Sequence, residues 1–449
     1  MRKKRNCTTN IEILIYSTKI HFLEVKNENR YTYYKMKYYL CYKDNLTTIH
    51  LKMAMYLTSL IAFTALILIP DLWFFMKMKK HHFYPWFRLL SLVPGFLFIL
   101  SFFYIRFGLV YNTSYQVTAG VSWILFAFSV IYTPKVLYIV FYYINHSFNR
   151  IFNAKTRIFR IIGFALSVYM VTFLFYGAVV TRDDFYFKTQ YIYVDELPRN
   201  FDGYKIAVFA DLHLGNWNNR HKIMEPIITM LNGGKPDVIV FGGDLINNYE
   251  NETVGWEPYF RRLKARQGMY AVLGNHDYGD YTKWKTKEEK EENLDKTKRN
   301  IRNLGFRLLL NEHVELVKGS DTITLAGVEN YGSGHFENHG DLTAALKGTR
   351  PERKKILISH DPNQWDEEIA TRKKDIFLTL SGHTHAGQIG ISNRKIHFSP
   401  AAIIYPKWDG LYSHGNQYLY VNRGAGFVGI PIRLGVPPEI TLIVLKRKK

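Results

Sequence analysis

The sequence predicts two unlike parts, an N-terminal α-helical region of about four membrane spans followed by an α/β domain that begins near Tyr204. Two observations carry that reading. Four long apolar runs succeed one another before residue 183 with only short polar joints. Beyond residue 204 the pattern changes to short apolar runs separated by polar, helix-compatible stretches, the signature of alternating strands and helices. The expected boundaries are a basic segment 1–52, a membrane region 53–182, a connector 183–203 and a domain 204–449.

Residues 1–203 hold 24 Lys and Arg against 10 Asp and Glu, and residues 204–449 hold 35 against 28. A basic chain invites a nucleic-acid reading, but the cations of the first part flank apolar runs instead of lining one face, which is the habit of membrane proteins. No nucleic-acid partner is expected. Both cysteines, Cys7 and Cys41, precede the first apolar run, so the second part has neither a disulfide nor a thiolate ligand.

Met53–Phe75 is almost uninterrupted apolar sequence, long enough to cross a bilayer core. Leu89–Phe103 continuing toward Tyr111, Val117–Thr133 and Ile161–Val180 meet the same criterion, with Tyr and Trp frequent near their ends. Short loops rich in Lys and Arg stay cytoplasmic, and two qualify: Lys77, Lys79, Lys80 and Arg88, then Arg150, Lys155, Arg157 and Arg160. The joint between them, Asn112–Gln116, carries no charge. This places a multi-pass protein in the cytoplasmic membrane with its second part on the extracytoplasmic side. Segment 1–52, with 11 Lys and Arg against 4 Asp and Glu, would then have to cross the membrane, which points to Met53 or Met55 as the initiator. Lys135, beside Pro134, either ends the third span or sits inside a longer one, and an odd number of spans would reverse the side.

In the second part, the residues just after each apolar run carry the chemistry. Ile206–Ala210 leads to Asp211 and His213; Val238–Phe241 leads to Asp244; Tyr270–Leu273 leads to Asn275, His276 and Asp277. Ile356–Ile358 leads to His360, and Ile376–Leu380 leads to His383 and His385. Open α/β sheets bind ligands beyond the carboxyl ends of their strands, so these side chains can converge. Gly242, Gly243, Gly274 and Gly382 supply the permissive dihedrals that sharp turns at strand ends require. Two carboxylates, one amide oxygen and four imidazoles, with no sulfur, suit divalent manganese, iron or zinc, and seven ligands exceed what one ion can use. A bridging carboxylate would let them hold a pair with open positions for water and substrate.

The ordered blocks D-L-H-L-G, G-G-D-L-I, G-N-H-D, S-H-D-P and S-G-H-T-H-A-G-Q, with the closing N-R-G-A-G and P-P-E-I, resemble the calcineurin-like metallophosphoesterase superfamily. Within it they are most similar to the membrane-attached bacterial phosphodiesterases of the YkuE/YaeI type, over roughly Leu197–Leu445. The resemblance implies a four-layer α/β/β/α sandwich. It assigns Asp211, His213 and His385 to one ion, Asn275, His360 and His383 to the other, and Asp244 to the bridge. It implies in-line attack on phosphorus by hydroxide held at the metals, with His276 contacting the phosphate and protonating the leaving oxygen. Asp277 either orients that imidazole or serves a plain turn. Gln388 and Arg423 either touch substrate phosphate or make structural hydrogen bonds.

Protein phosphatases of the superfamily place Asp-Arg-Gly after the bridging Asp, whereas Leu245, Ile246 and Asn247 stand here, so a protein substrate is not expected. The family often has Gly where Ala386 stands. His221, His313, His335, His339, His397 and His414 lie outside the blocks and read as surface or core residues; the loop Asn330–Gly340 either reaches the substrate or is a surface loop. The expected activity is hydrolysis of a phosphodiester or pyrophosphate, with envelope lipids or lipid-linked sugars as candidate substrates and the bilayer as partner. The competing reading is a membrane protein whose metal domain senses or binds without catalysis.

Overall fold

The computed structural model describes residues 58, 60–105, 115–334, 336–393 and 395–448; the basic N-terminal segment, both cysteines, the alternative initiators Met53 and Met55, and His335 lie outside them. Among the described residues, four helices are long and apolar enough to cross a membrane: α1 (Leu60–Lys80), α2 (Pro85–Phe103), α3 (Tyr115–Ile151) and α4 (Ile158–Tyr176), the last continuing as one wider turn to Thr181. The third runs through Pro134 and Lys135, so Lys135 sits inside a longer helix. With 37 residues it reaches about 55 Å, well beyond a hydrocarbon core of about 30 Å. The carbonyl of Pro134 accepts a hydrogen bond from Ser167 Oγ at 3.0 Å, tying α3 to α4.

The described residues up to Phe96 form one compact unit and those from Leu97 onward another, so α3 and α4 cluster with the α/β part and the units divide earlier than the composition does. In the second unit two six-stranded sheets lie face to face. Their strands are β1 (Tyr186–Val194), β2 (Lys205–Phe209), β3 (Val238–Phe241), β4 (Met269–Ala271), β5 (Arg307–Leu308), β6 (Glu312–Lys318), β7 (Asp321–Gly327), β8 (Lys355–Ile358), β9 (Ile376–Ser381), β12 (Gly410–His414), β13 (Gln417–Val421) and β14 (Glu439–Arg447); a small hairpin, β10 (Ile391–Ser392) and β11 (His397–Phe398), stands apart. The first sheet runs β1-β14-β2-β3-β4-β5 and the second β12-β13-β9-β8-β7-β6.

Valine, isoleucine and leucine fill the buried strands because both faces are covered. Ile206, Val208, Val238 and Val240 of the first sheet meet Ile356, Ile358, Leu378 and Leu380 of the second in the central core. On the outer face of the first sheet lies α5 (Met224–Gly233), whose buried Met224, Ile227, Ile228 and Leu231 recur at helical spacing, and α6 (Lys287–Asn303), capped by Thr286, whose side chain accepts from the Glu289 amide. Trp365, Ile369 and Ala345 cover the outer face of the second sheet. The result is the expected layering of helices, sheet, sheet and helices.

The stretch read as a connector is itself an edge strand. Tyr186–Val194 pairs in parallel with β14, which in turn runs antiparallel to β2. By contrast β2, β3 and β4 are mutually parallel, as are β7, β8 and β9. All five chemistry-bearing turns therefore leave carboxyl ends of parallel strands.

Those turns leave no spare room. Gly243 adopts φ +97°, and a Cβ there would stand 2.7 Å from the Gly274 amide nitrogen and 2.8 Å from His360 Nδ1. Gly243→Ala is expected to lower stability by about 1–3 kcal/mol. Thermal melting of the full chain in detergent checks this, with Gly120→Ala, which meets nothing within 4 Å, as the silent control.

Candidate metal centre

Five of the seven expected ligands, Asp211, His213, Asp244, His383 and His385, have left-handed backbone with φ between 48° and 75°. Such conformations cost roughly 1–3 kcal/mol each and persist only when their surroundings impose them. Here the imposition is visible as hydrogen bonds between turns. The Asp211 carboxylate accepts from the His383 amide at 2.9 and 3.1 Å, joining the two sheets. The Asp244 carboxylate accepts from the His276 amide at 2.9 Å.

Two groups of inward atoms result. His213 Nε2 lies 3.0 Å from His385 Nε2, and His385 Nε2 lies 3.8 Å from Asp211 Oδ1. His360 Nε2 lies 3.2 Å from Asn275 Oδ1, 3.2 Å from His383 Nδ1 and 3.3 Å from Asp244 Oδ2. Asp244 Oδ2 is also 3.7 Å from His213 Nε2, so this one carboxylate faces both groups. The structure brings all seven residues together.

Partners on the far sides of these side chains fix which atom points inward. His360 Nδ1 donates to the Gly242 carbonyl at 2.7 Å, and the Asn275 amide nitrogen donates to Tyr281 Oη. His383 Nε2 bonds Tyr405 Oη at 2.9 Å, and Phe336 stands edge-on to the same ring. The loop Asn330–Gly340 thus does reach the site, through Phe336, while His339 stacks on Tyr278.

Burial and charge act in opposite directions here. Burial pushes His213 and His383 down to about 3 and His385 well below its usual range, leaving neutral imidazoles with lone pairs to offer. Burial, reinforced by Asp244, pushes Asp211 up to about 7. Burial also opposes a proton on His360, but the Asp244 and Asp211 carboxylates overcome it and raise that histidine to about 10. A divalent ion held there would supply cationic charge to the same carboxylates. His213 Nδ1 is buried without a hydrogen-bond partner. Neutral nitrogens in facing pairs beside carboxylates fit oxygen- and nitrogen-preferring divalent ions.

His276 joins His213 and Asp244 as a third group of close potential ligand atoms. Its ring is partly exposed, stacks on Tyr281 with centroids 4.1 Å apart, and meets His213 edge-on. Nδ1 donates to the Asn247 carbonyl at 3.0 Å, which leaves Nε2 free to act. Burial lowers its pKa below the usual histidine value.

Asp277 does not orient His276. Its two oxygens accept four backbone amides, from Asp244, Leu245 and Gly274 at 2.9 Å and Ile246 at 3.2 Å, so it holds the β3 turn to the β4 turn. Gln388 and Arg423 both make structural hydrogen bonds. Gln388 brackets a loop, donating to the Ile430 carbonyl and accepting from the Val428 amide, and buried Arg423 is paired with Asp409 at 2.7 Å.

Four residues that matter here escaped the sequence reading: Glu252, Tyr281, Tyr405 and Arg433. Buried Glu252 accepts amides from Gly215, Asn247, Asn248 and Tyr249, and nothing in a polar loop of similar residues marks it. Arg433 is fully buried and donates to the carbonyls of His385, Arg423, Gly424 and Gly426, with its guanidinium 3.2 Å from His385 Nδ1. Burial lowers it to about 9, still charged at neutral pH. Its place between two matched blocks, N-R-G-A-G and P-P-E-I, was the available signal.

Asp277→Asn turns an amide N–H₂ toward backbone donors and is expected to cost about 1–3 kcal/mol, read as a lowered melting temperature. Arg433→Met is expected to weaken metal retention by about 10–100-fold, measured as metal content after dialysis against graded chelator.

Comparison with known proteins adds an independent line. Residues 204–387 match the sequence model of a family described as calcineurin-like phosphoesterase. A transmembrane protein with metallophosphoesterase domain from Bos taurus is 34% identical over 265 residues, covering 56% of this chain and 55% of that one. The Danio rerio protein of the same description is 32% identical, covering 57% and 56%. The uncharacterized metallophosphoesterase YkuE of Bacillus subtilis (strain 168) is 33% identical over 256 residues, covering 56% of this chain and 82% of its own. The chain thus spans about half the length of the two transmembrane relatives and most of the bacterial one.

Proposed function

The chain belongs to the calcineurin-like phosphoesterase family, and from that premise we propose that it hydrolyses a phosphodiester or pyrophosphate at a dinuclear metal centre. The observation that carries this reading is the sharing of Asp244 between two groups of inward ligand atoms, one with Asp211, His213 and His385 and one with Asn275, His360 and His383. When bound, two divalent ions (manganese, iron or zinc) supply Lewis acidity toward the phosphoryl oxygens and acidify water.

The protein's own residues do the rest. Asp211 and Asp244 bring negative charge that the ions require, and Tyr281, Tyr405 and the Gly242 carbonyl hold Asn275, His383 and His360 in their orientations. His276, fixed through Nδ1 by Asn247, presents Nε2 to hold a proton for the leaving oxygen. In the overall reaction one P–O bond breaks, the oxygen of water ends on phosphorus, and its proton ends on the leaving group. Asp244 is followed by Leu245, Ile246 and Asn247, all buried and none an arginine that could grip phosphate, which favours a substrate other than a phosphoprotein.

This is a membrane protein with four apolar helices among the described residues, and we place its catalytic domain on the extracytoplasmic side. Arg150, Lys155, Arg157 and Arg160 gather where α3 ends and α4 begins, while the α/β domain continues from the other end of α4.

The test uses the full chain in detergent, stripped of metal and reloaded singly with manganese, zinc or iron, with bis(p-nitrophenyl) phosphate as substrate. Turnover is expected only after reloading, and Asp244→Asn is expected to abolish it. His276→Ala is expected to cost about 10²–10⁴-fold with a phenyl ester and distinctly less with the nitrophenyl ester, whose leaving group needs little protonation. A folded, metal-loaded protein that cleaves no phosphoester would overturn the proposal.

A further inference from the structure

The segment Ile389–Ile404 carries an unusual density of exposed large apolar side chains. Ile389, Ile391, Ile396, Phe398, Ile403 and Ile404 all stand in solvent-accessible positions, with Ile403 88% and Ile404 69% exposed. Ile391 and Phe398 are direct partners across the β10–β11 hairpin, so they share one face. A clustered apolar surface of this kind marks a contact with something apolar.

The segment is joined to the catalytic site at both ends. It leaves the loop that carries His385, and it ends at Tyr405, whose hydroxyl bonds His383. It is also joined to the membrane helices. Ile389 bridges Leu434, and the Gly390 amide donates to the Leu434 carbonyl. Leu434 and Ile432 pack with Phe126 of α3 and with Leu174 and Ala178 at the end of α4. The Arg433 amide donates to the Gly177 carbonyl at 3.1 Å, and a Cβ on Gly177 would stand 2.5 Å from Leu434. Leu174, Gly177 and Ala178 belong to the last apolar turns of a span whose Phe175, Tyr176, Val179 and Val180 are exposed to the surroundings. The hairpin is therefore tethered beside the last apolar turns of α4.

We propose that Ile389–Ile404 is an interfacial element inserted into the adjoining leaflet of the bilayer, and that the substrate is the phosphoester headgroup of a membrane amphiphile delivered along it. This rests on the phosphoesterase reading for the chemistry, but not for the insertion. Lys395 on the exposed turn between the two hairpin strands is suited to anionic headgroups. Six large apolar side chains provide interfacial affinity through the area they bury among acyl chains.

The experiment uses the full chain carrying Cys7→Ser and Cys41→Ser, with one new cysteine at a time (Ile403→Cys, Ile404→Cys or Val317→Cys) bearing an environment-sensitive nitrobenzoxadiazole label. Val317 is 56% exposed and lies opposite Thr322, at the amino end of β7 away from the metal centre. Each protein is reconstituted in phosphatidylcholine vesicles with or without brominated chains. Labels at 403 and 404 should emit to the blue and lose about half or more of their fluorescence to brominated lipid, and the label at 317 should do neither. Unquenched labels at 403 and 404 overturn the insertion, as does a blue shift that depends on protein concentration and not on bromine, which would mean a second copy covers the strip. In parallel, Ile403→Ser with Ile404→Ser should lower the turnover of a p-nitrophenyl ester of phosphatidic acid relative to bis(p-nitrophenyl) phosphate by about tenfold, in line with lost interfacial effective concentration. An unchanged ratio overturns the delivery role. Failure of the unmodified protein on both esters counts against the phosphoesterase reading, and the quenching result still decides the insertion.

Discussion

Everything at the metal centre depends on backbone N–H groups converging on buried carboxylates. Asp277 gathers four amides from the β3 and β4 turns, and Glu252 gathers four from the loops after β2 and β3. Asp211 receives the His383 amide from the opposite sheet. Charge-assisted bonds of this kind are stronger than neutral ones, and several on one carboxylate offset the cost of burying it. They act as clamps between neighbouring turns, adding to the backbone hydrogen bonds that already join the β2 turn to the β3 turn. Together with those backbone bonds they hold the ligand residues in their left-handed conformations.

That arrangement explains a division of labour among acidic side chains that residue type alone does not reveal. Asp211 and Asp244 share their carboxylates between a backbone amide and histidine nitrogens, whereas Asp277 and Glu252 gather several backbone amides each. Burial raises the pKa of all three carboxylates other than Asp244; for Asp244 the nearby His360 and His276 prevail and hold it well below the usual range. The residue at the centre of both ligand groups is thus the one that keeps its charge most firmly.

Much of this was legible in the sequence, for physical reasons. A parallel strand buried on both faces must be apolar, and its carboxyl end must turn, so the five runs and the residues after them declared themselves; the observed strands differ from the expected ones by no more than two residues at any end. The four apolar helices were equally plain. What escaped was whatever depends on partners distant in sequence. β1 was read as a connector because an edge strand with alternating exposure lacks the uniform apolar run of a central one. Asp277 sits beside His276 in sequence, which suggested a pairing, yet the local turn sends its carboxylate back to the amides behind it. Arg423 and Gln388 were conspicuous polar residues in matched blocks, and each proved to be satisfied within its own neighbourhood. Arg433 acts through carbonyls, and carbonyls are invisible to any reading of side-chain type.

Arg433 has a consequence for where this protein begins and ends as a cooperative object. Its backbone is seated on the last turns of α4, while its guanidinium holds the loop of His385. Ile432 and Leu434 on either side are covered by helices that composition would assign to a mere anchor. An α/β fragment cut free at residue 204 would leave that apolar pair open to water and one support of the metal loop unmoored. Proteolysis between α4 and β1 would therefore do more than release the hydrolytic domain from its membrane; it would loosen the centre itself, so that location and competence are lost together.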